Sequence, residues 1–167
     1  DKNSRMAKRK SEWRGTIAGN IIPLLQKKII FTTMDHQTHV KVPLFLEKSY
    51  QSLTIEWGYD PQIVPDIQAR KWIAEALPRY FPGELPKVET FLPLINLLTI
   101  SVAQEENYVG CRHHKAPAQV IYLSEKESSE GFLPCAITAG QWEIQLNLHS
   151  VRSDVAVTMR VSGEEMA

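Results

Sequence analysis

GFLPCAITAGQWEIQLNLH, residues Gly131–His149, ends in the clearest strand pattern of the chain. From Trp142 the side chains alternate. Trp142, Ile144, Leu146 and Leu148 point one way, and Glu143, Gln145, Asn147 and His149 point the other. A period of two specifies a strand with one buried and one wet face. Ala139-Gly140 supplies the turn that launches it. Phase fixes orientation in a strand, so Trp142 is predicted to share the core with Ile144, Leu146 and Leu148. As the first apolar residue after Gly140, it belongs near one end of the fold. There its indole N–H can reach a loop carbonyl while the rings pack.

The same alternation recurs on both sides. Downstream, Ser150–Asp154 turns the chain, and Val155, Val157, Met159 and Val161 form a last strand. Upstream lie a short strand at Val120–Leu123 and a charged connection at Ser124–Glu130. A strand at Asn96–Ala103 precedes a polar loop over Gln104–Lys115. Leu53, Ile55, Trp57 and Tyr59 mark another strand. Val40, Val42, Leu44 and Leu46 alternate with Lys41, Pro43, Phe45 and Glu47. Proline cannot donate to a ladder, which predicts an edge strand or a bulge at Pro43. Lys41 and Glu47 blunt that edge, so a monomer or a closed dimer is expected. Lys27–Thr33 is rich in β-branched residues, and Thr16–Ile22 offers a first short strand.

One segment changes period. Over Pro65–Leu77, the residues Ile67, Trp72, Ile73, Ala76 and Leu77 fall on one helical stripe. Pro65 suits a first turn, and Pro78 is expected to stop the helix. Asp60-Pro61 before it and Pro82, Gly83 and Pro86 after it bound a helical insertion over residues 60–86. The predicted fold is all-β: a two-sheet, jelly-roll-like sandwich of about seven or eight strands. It occupies residues 15–163, with the helix covering one end or face.

Composition narrows the function classes. The chain has 167 residues, 43% hydrophobic and 23% charged, with no formal net charge. This is enough for one domain with a real core. A zero balance argues against a general nucleic-acid binder, which needs a surplus of Lys and Arg. Residues 1–14 carry Lys2, Arg5, Lys8, Arg9, Lys10 and Arg14 and read as a flexible basic arm, in plain terms a solvated tail. No apolar run approaches the length that spans a bilayer. Cys111 and Cys135 are the only cysteines. Without a signal peptide they read as free thiols of a cytoplasmic protein.

Candidate chemistry concentrates in two places. Tyr108, Arg112, His113 and His114 lie in the loop after the Asn96–Ala103 strand, and His149 stands on the wet face at the end of the organising strand. These five residues are the binding candidates. His36 and His39 sit in or beside a turn. The histidine spacings match no standard zinc pattern, and no metal or cofactor is assigned. There is no Gly-x-Ser-x-Gly elbow and no glycine-rich phosphate loop. Cys111 near His113 resembles a thiolate with a base, although a small buried cysteine is the simpler reading. Arg112 beside two histidines is the best concentration of donors for an anion. Trp57 and Trp142 are in phase with aliphatic neighbours, which places them in the core rather than on a sugar-stacking platform.

Several phrases occur in a telling order: LTIEWGYDP (Leu53–Pro61), NLLTISV (Asn96–Val102), NYVGCRHH (Asn107–His114), SEGFLP (Ser129–Pro134) and AGQWEIQLNLHSV (Ala139–Val151). In this order the chain resembles the β-rich N-terminal region of the carbaryl-hydrolase-like (CehA/McbA-type) branch of PHP metallohydrolases and related uncharacterised bacterial proteins. The resemblance implies a jelly-roll-like sandwich that accompanies a metal-dependent hydrolase domain. Departures stand at Ala103, Gln104 and Val109, where that family carries acidic residues and an arginine, and near Cys135, where it carries glycine. The Asp-x-His-x-His start of the PHP metal cluster is absent, so no catalytic residue carries over. The expected function is a non-catalytic accessory or binding module of unknown ligand, with a PHP-type hydrolase domain as its partner. Two alternatives stand beside it: a small metal-dependent hydrolase using His113, His114 and His149, and a carbohydrate-binding module.

Overall fold

The computed structural model describes residues 19–113 and 115–167. The predicted basic arm over residues 1–14, residues 16–18 of the predicted Thr16–Ile22 strand, and His114 lie outside the described residues. Among the described residues, eight strands, β1 (Ile21–Phe31), β2 (Thr38–Leu46), β3 (Tyr50–Asp60), β4 (Leu97–Gln104), β5 (Asn107–Arg112), β6 (Ala118–Ser124), β7 (Gly140–Ser150) and β8 (Val155–Glu165), form two sheets. An α-helix, α1 (Asp66–Tyr80), is inserted between β3 and β4.

The first sheet has the order β1-β8-β3-β6 and the second β2-β7-β4-β5, with antiparallel pairing throughout. β1 pairs with β8, β2 with β7, β3 with β6 and β4 with β5. The chain is thus one long hairpin, closed at its tip between β4 and β5 and rolled so that β3 also meets β8 and β4 also meets β7. That is jelly-roll topology. The core is the inner faces of both sheets, among them Ile55, Ile121 and Val161 from the first and Leu98, Ile100 and Leu146 from the second.

The organising strand is β7, central in the second sheet between β2 and β4. Its predicted phase holds: Trp142, Ile144, Leu146 and Leu148 are all buried. The Trp142 indole N–H donates to the Thr138 carbonyl at 2.9 Å. Trp57 is buried too, stacked on Tyr59. β2 is an edge strand, with Pro43 opposite Glu143.

Three readings of local structure are corrected. Lys27–Thr33 is not a separate strand, because β1 runs unbroken from Ile21 to Phe31. A bulge between Pro23 and Leu25 interrupts its alternation and hides that continuity. The supposed polar loop over Gln104–Lys115 contains β5. A second bulge, at Val109 of β5 opposite Val102 and Ala103, shifts the pairing so that Val109 falls inward beside Gly110. Gly110 is glycine because a Cβ there would lie 2.3 Å from the Gly131 carbonyl oxygen.

The helix also ends later than expected. Pro78 lies inside α1, which continues to Tyr80. Proline removes its own donor but leaves its carboxyl-side neighbours free to bond back. The Phe81 N–H closes the last turn on the Leu77 carbonyl at 2.9 Å. α1 buries Ala69, Ile73 and Leu77, whereas Ile67 is exposed. Trp72 anchors it: the indole N–H donates to the Arg152 carbonyl at 2.9 Å, and the Arg152 guanidinium sits 4.8 Å from the ring centroid. Fully buried Asn96 fixes the same end. Its amide donates to the Pro61 carbonyl and the Ser153 hydroxyl, and its oxygen accepts from the Arg152 N–H. The insertion therefore covers an end of the sandwich, beside the β7–β8 turn.

Candidate functional site

Pairing register dictates what the outer face of the second sheet displays. His39, Asn147 and Thr99 lie side by side across β2, β7 and β4. Lys41, Gln145, Ser101 and Cys111 form the next row. Pro43, Glu143, Ala103 and Tyr108 form the one beyond. Every one of these residues is out of phase with the core, so a polar face spans all four strands.

Its centre is a hydrogen-bonded net. Asn147 Oδ1 accepts from Gln145 Nε2 at 2.7 Å and is 3.0 Å from His39 Nδ1. A carboxamide oxygen cannot donate, so His39 Nδ1 must carry the proton. Asn147 Nδ2 donates to Thr99 Oγ1 at 3.3 Å, and Thr99 Oγ1 lies 2.7 Å from His149 Nε2. With one donor and two acceptor sites, the Thr99 hydroxyl can donate to His149 Nε2 or accept from it while it accepts from Asn147. Asn147 and Thr99 are buried at 8% and 2% exposure, whereas His39, His113 and His149 above them are exposed.

The third histidine completes the rim. The rings of His113 and His149 are 5.7 Å apart, centroid to centroid. Burial first, and then the proximity of His113 and His39, hold the His149 imidazole below its ordinary pKa. The neutral imidazole is therefore the favoured form.

The sequence candidates separate on this map. His113 and His149 come together. Tyr108 is on the same face, 61% exposed, and a hydrogen bond with the Cys111 thiol pushes its phenol up. Arg112 follows Cys111 on the strand and faces the opposite way. Its guanidinium donates to the carbonyls of Val120 at 3.3 Å and Glu130 at 3.4 Å, so it braces the sheet edges rather than joining the histidines. His36 is also apart, its Nδ1 accepting from the Val151 N–H at 2.9 Å. Sequence reasoning left out His39, Asn147, Thr99 and Gln145. The available signal was the wet phase of β7, which already carried Gln145, Asn147 and His149.

The chemistry open to this face is limited. The Thr99–His149 pair has the spacing of a nucleophile and base. Yet the Thr99 hydroxyl is 2% exposed and already engaged by Asn147. Among the described residues, no three of His, Cys, Asp and Glu are arranged to hold a metal ion. Both cysteines are free, and burial pushes the Cys135 thiol up, away from thiolate chemistry. What remains is a rim of ring nitrogens over a fixed floor of amide and hydroxyl groups.

No protein-family model matches the chain, and no curated protein matches it. Solved structures similar to it include these three. A carbohydrate-binding module, CBM36, in complex with calcium and xylotriose is 10% identical, with 87% of this chain and 99% of that chain covered and a TM-score of 0.31. A protein of Sulfurospirillum deleyianum is 11% identical over 81% of this chain and 96% of that one, at a TM-score of 0.30. An exo-beta-agarase is 12% identical over 86% of this chain and 23% of that one, at a TM-score of 0.34. No residue role is taken from any of them.

Proposed function

We propose that this chain is a non-catalytic binding module that holds a hydroxyl-bearing ligand on the outer face of its second sheet. One observation carries the reading. The net through Asn147 and Thr99 spends one ring nitrogen each of His39 and His149 and fixes which nitrogen that is. What remains for a ligand is an acceptor at His39 Nε2 and the second ring nitrogen, Nδ1, of His149, held on a rigid floor. A hydroxyl both donates and accepts, so it matches that pair without a charge. Preorganised side chains cost little ordering when the ligand arrives. The phrase order of the sequence supports service beside a PHP-type hydrolase domain, with this module supplying recognition and not chemistry.

The test is NMR mapping of backbone amide shifts during titration with a panel of neutral oligosaccharides. At least one should move the amides of His39, Thr99, Asn147 and His149. His39→Ala and His149→Ala, both at exposed positions, should each weaken that binding about tenfold, the loss of one or two hydrogen bonds. Arg112→Ala should leave it unchanged. Hydrolysis of an ester or amide by the purified chain, lost in folded His149→Ala, would replace this reading with the hydrolase one.

A further inference from the structure

The outer face of the first sheet carries a trench that the histidine face does not touch. It crosses all four strands and encloses about 820 Å³. Three interstrand gaps make it about 14 Å long. Its two outward rows are set by register. One is Gln26, Arg160, Glu56 and Val120, and the other is Lys28, Thr158, Gly58 and Ala118. The second row is low along β8, β3 and β6, where the residues are the small Thr158, Gly58 and Ala118. Gly58 keeps the floor low for a reason of its own: a Cβ there would meet the Pro117 carbonyl oxygen at 2.9 Å.

Charge lines this trench unevenly. Lys28 and Arg160 stand on its outward rows with one carboxylate, Glu56. None of the three belongs to an ion pair among the described residues. Unspent cations at a concave surface focus field on an anionic ligand. The guanidinium of Arg160 can take a carboxylate in a two-point grip. Thr158, Gln26 and Glu56 offer hydroxyl partners beside it.

The geometry points to an acidic oligosaccharide, a chain carrying uronate carboxylates, as the ligand of this trench. An acidic peptide fits less well for a physical reason. Peptides gain affinity by pairing their backbone with a free sheet edge. Here the central strands of the floor, β8 and β3, already have their N–H and C=O groups in ladders on both sides. A saccharide needs only side-chain partners, which are what this face presents.

The experiment is an amide-shift titration of the whole chain with oligogalacturonate, a neutral oligosaccharide of the same length, and oligoglutamate. Oligogalacturonate should shift Gly58, Ala118 and Thr158, and should weaken as salt rises. Arg160→Gln with Lys28→Gln, both at exposed positions, should lower its affinity at least about tenfold while thermal unfolding stays unchanged. His39→Ala and His149→Ala should have no effect, which separates this site from the histidine face. Three results overturn the proposal: no shift of Gly58, Ala118 and Thr158 at millimolar oligogalacturonate, equal binding of the neutral chain at the trench, or equal binding of oligoglutamate at the trench.

Discussion

Replacing Trp142 by alanine tests whether the organising strand is oriented as its neighbours demand. The side chain is fully buried, so the whole indole is lost from the core. A buried tryptophan removes about 150–250 Å² from water. At about 25 cal/mol per Å² that is about 4–6 kcal/mol. Alanine keeps part of this, and the cavity it leaves adds a penalty, so the net cost is about 3–5 kcal/mol. The indole N–H bond to the Thr138 carbonyl at 2.9 Å is also lost, which leaves that acceptor to find water. Against a total of about 5–15 kcal/mol for a domain, the variant should be close to unfolding. Chemical denaturation, followed by circular dichroism, measures it. Two neighbours calibrate the result. Glu143 makes only a loose 3.7 Å pair with exposed Lys41, so Glu143→Ala should stay within about 0.5 kcal/mol. Gln145 donates to Asn147 at 2.7 Å, so Gln145→Ala should cost about 1 kcal/mol. A Trp142→Ala midpoint within about 1 kcal/mol of the parent would mean that the phase argument fails.

Two further outcomes follow from single groups. Asn96→Ala removes three side-chain hydrogen bonds that join the insertion to the β7–β8 turn, and should cost about 2–4 kcal/mol by thermal or chemical unfolding. Loss under about 1 kcal/mol would show that the helical end is held by Trp72 alone. His36 and His149 both have folded pKa values below the ordinary 6.5, chiefly through burial, aided by Arg152 for the first and by His113 and His39 for the second. Between the lowered values and 6.5 the unfolded chain binds more protons than the folded one. Stability should therefore be full above that window and fall as pH drops through it, before most carboxylates protonate. Unfolding midpoints measured from pH 7.5 downward check this, and a flat profile to about pH 5 contradicts it.

What the sequence could and could not disclose follows from which interactions are local. β7, β8, β3 and β2 alternate cleanly because each has one face on the core, and hydrophobic phase is written residue by residue. β5 escaped because a bulge within it breaks the period, and a bulge is a property of a strand pair. The Pro78 stop was read from a general rule, whereas the last turn of α1 closes through residues beyond the proline.

The candidate site divides along the same line. Arg112 and His113 are adjacent in sequence, and a cluster of donors is the natural reading of such neighbours. In an extended chain adjacency separates side chains, and Arg112 ends on the carbonyls of Val120 and Glu130 while His113 meets His149. The partners of the histidines stand far off in sequence: Asn147 is 108 residues from His39, and Thr99 is 50 from His149. Only the register of β2 on β7 and of β7 on β4 puts them in one row, and that register is set by matching inner faces, not by the polar residues themselves. The core of a jelly roll thus decides which polar groups meet outside it. On this argument a two-residue slip of β2 against β7 would keep every side chain on its own face and still move His39 off Asn147, breaking the net there.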